Sequence, residues 1–143
     1  MADDVRISAV KAIRPRISYA DLERTPEDGH RYELYDGEAF VVPAPILRHQ
    51  ITQHRVTEML LAYAREHGGL AGDSPIDVVF SDYDVLQSDV VYFRRDRAHL
   101  VDLDRPIGDA PDLCVEVLSR APLDRMRRCR CRVAHAAGAL LQS

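Results

Sequence analysis

Three runs rich in apolar and β-branched residues, at 76–80, 85–93 and 112–119, follow one another in the second half of a 143-residue chain with few polar interruptions. Strands that are apolar on both faces belong in a sheet covered on both sides, so this stretch constrains the chain to a layered α/β or α+β domain. Pro75 and the polar Ser81-Asp-Tyr-Asp segment bound the first run. A loop rich in Arg and Asp, with Pro106 and Gly108, separates the second from the third.

The first half supplies the layers. Ser18-Tyr-Ala-Asp-Leu-Glu predicts a short helix with a serine cap, ended by Thr25-Pro-Glu-Asp-Gly. Residues 31–42 predict a hairpin, because Asp36-Gly37 suits a two-residue turn and aromatic or β-branched residues flank it. Pro43 and Pro45 close its second strand. Residues 46–67 predict the one long helix: Ile51, Val56, Met59, Leu60 and Tyr63 recur at three- and four-residue spacing as a single apolar stripe, and Gly68-Gly69 supplies a stop. The length suits one domain with a core of its own.

The informative polar residues are acids inside the apolar runs. Asp89 precedes Val90-Val-Tyr-Phe, and Glu116 lies between Leu113-Cys-Val and Val117-Leu. A carboxylate in a buried strand is costly unless it is paired or binds a cation. Two of them on neighbouring strands can converge on one hard divalent ion, and Mg²⁺ prefers carboxylate oxygens and water. The alternative is that each acid faces solvent from a strand wetted on one side. His49, at the start of the long helix, is a candidate to reach the same place. Glu33, in the first hairpin, is either a solvated strand acid or a further carboxylate of the site. His54 and His67 read as surface residues and Cys114 as a core thiol. Cys129 and Cys131, two apart with only His135 nearby, do not complete a zinc site.

Other chemistries are not signalled. The chain has no phosphate-binding glycine loop, no Gly-x-Ser-x-Gly elbow and no His-Glu-x-x-His motif. Aromatic residues make up 6%, with no tryptophan, so a base-stacking platform is not indicated. No stretch approaches the roughly 18 apolar residues of a membrane span, and Met1-Ala-Asp-Asp lacks the basic start of a secretory signal. The expected location is the cytoplasm, without a membrane partner.

Taken in order, Tyr32-Glu-Leu-Tyr-Asp-Gly-Glu, Pro43-Ala-Pro with His49 after it, Gln87-Ser-Asp-Val-Val-Tyr-Phe, and Gly108-Asp-Ala-Pro-Asp-Leu-Cys-Val-Glu-Val-Leu-Ser make the chain resemble the Uma-type restriction endonucleases of the PD-(D/E)XK nuclease superfamily. The resemblance covers roughly residues 15–128. It implies a restriction-endonuclease-like fold, a mixed β-sheet flanked by helices behind an N-terminal β-hairpin, and Mg²⁺-dependent cleavage of DNA. It also implies roles: Asp89 and Glu116 as metal ligands with the carbonyl of Val117, and His49 and Glu33 lining the cleft. Asp112 becomes a structural residue at the strand entry. Ser88 stands where the family has proline, a mild departure because proline shapes the backbone and does no chemistry. A homodimer is expected by analogy, since cutting two strands needs two sites.

The superfamily's lysine is the larger departure. Counting four residues from Asp124, where the family's displaced lysine is expected, lands on Arg128, and Lys11 is the only lysine in the chain. Arginine keeps the positive charge but does not readily deprotonate or orient water. The division expected is a leader over 1–14, the nuclease domain over 15–128, and an atypical tail over 129–143 from a truncated or frameshifted C-terminus. From Arg120 onward six arginines face one acid, Asp124, a surplus of five. The whole chain carries −4, so residues 1–119 carry −9, an acidic body that repels DNA unless cations offset it. The rival reading is a catalytically inactive remnant or a non-enzymatic partner-binding domain.

Overall fold

The computed structural model describes residues 15–117. The leader over 1–14, Arg128 and the tail over 129–143 lie outside them.

The chain begins with the short helix α1 (Tyr19–Glu23), capped by Ser18, whose hydroxyl and backbone exchange hydrogen bonds with Asp21. This closed capping box satisfies backbone donors that one turn of helix leaves free. The hairpin follows as β1 (Arg31–Tyr35) and β2 (Glu38–Val42), paired antiparallel from Arg31 opposite Val42 to Tyr35 opposite Glu38. Asp36 and Gly37 both have positive φ, 50° and 77°, the conformation of the tight hairpin turn read from Asp-Gly. A Cβ on Gly37 would stand 2.6 Å from the Cβ of Arg16, so space as well as φ requires glycine there.

The long helix α2 (Leu47–His67) ends at Gly68, and Arg65 and His67 lie in its last turn, where cations suit the helix dipole. Its buried face differs from the expected stripe. Gln53 and Thr57 are the buried residues of the helix, whereas Ile51, Met59 and Tyr63 are exposed. Val56 and Leu60 are half-buried beside them.

The strands are β3 (Leu70–Asp73), β4 (Val78–Ser81), β5 (Asp84–Leu86), β6 (Val90–Phe93) and β7 (Leu113–Val115). They form two antiparallel sheets, one ordered β2-β1-β5-β4 and the other β3-β6-β7. Among the described residues one parallel bridge, Val78 to Ile107, joins the loop before β7 to the first sheet. The α/β class and the N-terminal hairpin are as expected. The run over 85–93 is two strands instead of one: at Gln87-Ser88-Asp89 the chain leaves the first sheet and enters the second. The break has a tertiary cause. The Gln87 N–H donates to the Glu33 carboxylate at 3.0 Å and so leaves the first sheet's ladder, whereas the Ser74 N–H, donating to the Asp89 carbonyl at 3.0 Å, carries the β3–β6 register one step further.

Strand β3 was not expected, because Leu-Ala-Gly-Asp carries no β-branched residue. It forms by pairing with β6, Leu70 opposite Phe93 through Asp73 opposite Val90. Gly69, at φ 109°, lets this pairing start: a Cβ there would lie 2.4 Å from the Phe93 carbonyl oxygen. Helix α2 packs on β3 and β6. The core lies between the sheets, where Val78 from β4 meets Val91 and Phe93 from β6 and Ile107, with Cys114 packed against them. Burial pushes the Cys114 thiol up to about 11, so it stays protonated as a core group.

Candidate active site

The sheet switch determines where the acids stand. Val90 lies opposite Val115 in the β6–β7 ladder, so one further step along the same register sets Asp89 opposite Glu116. Directly opposed residues of an antiparallel pair share a face and bring their Cβ atoms to within about 5 Å. The two acids singled out in the sequence therefore stand one step beyond the last pair of the β6–β7 ladder, close enough for the charge of Asp89 to act on Glu116.

Asp89 is held on both oxygens. Its Oδ1 lies 2.9 Å from His49 Nε2, and its Oδ2 accepts the Val117 N–H at 2.6 Å. The His49 and Asp89 side chains are only 14% and 13% exposed, so this pair is shielded from solvent competition. His49 reaches it from the first turn of α2, which lies over β6. Glu33 projects from β1 and is fixed by two donors, the Gln87 N–H at 3.0 Å and the Tyr35 hydroxyl at 2.8 Å.

Glu116 is the perturbed group of the cluster. Desolvation, then the negative charge of Asp89, and to a smaller extent that of Glu33, push its carboxyl up to about 8, with Ser88 opposing. The residue still has substantial solvent-accessible surface, so it is hemmed in by protein with one side open to water. Among the described residues the Ser88 hydroxyl, buried at 2% exposure beside Cys114 and Glu116, has no complete hydrogen bond.

The cluster suits a hard divalent cation. Asp89 and Glu116 supply oxygen donors, and their mutual repulsion, visible in the raised Glu116 carboxyl, is what a bound cation relieves. Among the described residues no group of three or more His, Cys, Asp and Glu side chains converges in metal-binding geometry, so within them a cation would find the two carboxylates and backbone oxygen. Val117 contributes its backbone at this place, with its N–H already on Asp89.

Asp112 stands apart at the other end of β7. Burial works to raise its carboxyl, but the Arg94 N–H, the Arg97 guanidinium and the charges of both arginines hold it below the usual range. This agrees with a structural role at the strand entry. His54 and His67 are exposed; His67 stacks on Tyr63 with ring centroids 4.2 Å apart. The sequence reading missed Gln53, Ser74 and Gln87, which bond the backbone or the neighbours of the acids. The four-residue spacing of His49, Gln53 and Thr57 was the available signal for the first of them.

The described residues form a mixed α/β domain of two antiparallel sheets and helices, with Asp89, Glu116 and the half-buried His49 near one end of the second sheet. A crystal structure described as "a putative nuclease belonging to DUF820 from Anabaena variabilis" matches with a TM-score of 0.68 at 17% identity, over 84% of this chain and 69% of that one, a likeness of fold. The family model Uma2, described as "Putative restriction endonuclease", matches residues 18–128. The chain belongs to that family. No curated protein matches it.

Proposed function

We propose that this domain hydrolyses DNA phosphodiester bonds with Mg²⁺ held by the Asp89 and Glu116 carboxylates and the Val117 carbonyl. When bound, such an ion supplies a water of lowered pKa and neutralises charge on the phosphate. Asp89 presents its carboxylate in one orientation because His49 and the Val117 N–H each hold one oxygen. Glu116 gives up its proton to serve as a ligand. Glu33, pinned by Gln87 and Tyr35, forms the negative wall of the cleft and orients water at its free lone pairs. Arg128 provides positive charge for the phosphate without acting as a base.

What supports this reading is the proximity of the Asp89 and Glu116 carboxylates, with His49 bonded to Asp89, in a chain of a family described as restriction endonucleases. Nicking of supercoiled plasmid by the full chain tests it. Product is expected with Mg²⁺ and none with EDTA. Absence of cleavage across Mg²⁺, Mn²⁺ and Co²⁺, on single- and double-stranded DNA, contradicts it.

A further inference from the structure

Where helix α2 meets the site, its buried face is polar. His49, Gln53 and Thr57 recur every four residues and so form one stripe along the helix. Gln53 is 5% exposed and Thr57 8% exposed, while apolar residues of the same helix face solvent. Burying a primary amide is unfavourable unless hydrogen bonds replace those to water, so this placement requires local partners. Gln53 Nε2 donates to Ser74 Oγ at 3.1 Å, and the Ser74 N–H donates to the Asp89 carbonyl at 3.0 Å. The Thr57 hydroxyl donates to the Gln53 carbonyl at 2.9 Å and closes the stripe.

Asp89 is thus fixed at three points: Oδ1 by His49, Oδ2 by Val117, and its carbonyl by Ser74. Two of the three lead back to α2, one turn apart. His49 reaches the carboxylate directly, and Gln53 reaches the backbone through Ser74. A helix tied to a strand at two successive turns cannot slide or roll without breaking one of the ties.

We propose that Gln53 is a positioning residue: through Ser74 it sets the Asp89 backbone against α2, and so keeps the Asp89 carboxylate on His49. Gln53 touches no reacting atom in this role. The effect on cleavage rests on the nuclease reading above; the effect on His49 does not.

The test uses the full chain with Gln53→Leu, Ser74→Ala and the double variant. Leucine is close in size, suits a helix, and lies three and seven residues from the half-buried Val56 and Leu60. The readouts are the NMR resonances of the His49 ring nitrogens, the thermal midpoint, and kcat and KM for DNA. Gln53→Leu is expected to fold, to move the His49 resonances toward those of an unpaired imidazole, and to lower kcat about tenfold with KM unchanged. The double variant is expected to be no worse than the more affected single variant, because both remove one link. Folded Gln53→Leu with wild-type His49 resonances, or losses that add, overturns the proposal. If Gln53→Leu does not fold, Ser74→Ala breaks the link from the other side and is read by the same criteria. A wild-type chain without cleavage refutes the nuclease reading alone, and the His49 resonances still decide the role of Gln53.

Discussion

At the scale of single residues, the proposed chemistry depends on how Asp89 and Glu116 by the second sheet, Glu33 on the first and His49 on α2 are brought together. In the metal-free protein Glu116 holds its proton up to about 8, above its ordinary value of 4.5. A carboxyl that prefers the proton when folded contributes stability that is full below 4.5 and is lost as pH rises through 8. The metal-free thermal midpoint is therefore expected to fall across this window, and Glu116→Gln is expected to lessen that fall. Other carboxylates have their own windows. Asp21, held at about 2 by Ser18 and Arg24, acts at the acid end, and comparison of variant with wild type at each pH isolates Glu116. A melting series in EDTA from pH 4 to 9 checks the sign; parallel curves for the two proteins refute it. His49 acts through Asp89, so His49→Ala is expected to weaken Mg²⁺ binding or cleavage by about 10- to 100-fold, the usual cost of losing a partner that orients a ligand. Calorimetric titration beside the nicking assay measures both quantities.

At the scale of elements, the fold hangs on the packing of β6. Phe93 is 1% exposed at the centre of the core, among Val78, Val91 and Ile107, so Phe93→Ala is expected to cost about 3–5 kcal/mol. Denaturant unfolding measures it, and a loss below about 1 kcal/mol would place the core elsewhere. The elements legible in the sequence were those with local causes. Ser18 capped α1, Asp36-Gly37 set the hairpin, and Gly68 ended α2. Those that tertiary pairing decides were not legible. Leu70–Asp73 becomes a strand only because β6 offers an edge, and the run over 85–93 divides where Glu33, distant in sequence, captures the Gln87 N–H. The α2 stripe was misread for a related reason. Hydrophobic spacing reports an apolar face, but here the buried face is where Gln53 and Thr57 find partners on or beside β3. The site was half legible. Asp89, Glu116 and His49 are brought together, whereas their supports at Ser74 and Gln87 lie in a loop and a sheet switch with no periodic signal.

At the scale of the whole molecule, residues 1–119 carry net −9, and the proposed DNA substrate is itself a polyanion. Carboxylates facing a phosphate backbone are unfavourable unless a cation lies between them, so on the proposed function metal binding precedes the engagement of DNA. Among the described residues no helix is long and apolar enough to cross a membrane. Family membership, the nuclease-type fold and the Asp89–Glu116 pair bear on one claim: that this end of the second sheet is a metal-dependent phosphodiesterase centre. The most direct test is plasmid cleavage in Mg²⁺ by the full chain beside Asp89→Ala and Glu116→Gln, each matched to wild type by circular dichroism. The wild type is expected to nick the plasmid and both folded variants to lose activity by at least about 100-fold. Cleavage by either variant at the wild-type rate would contradict the assignment.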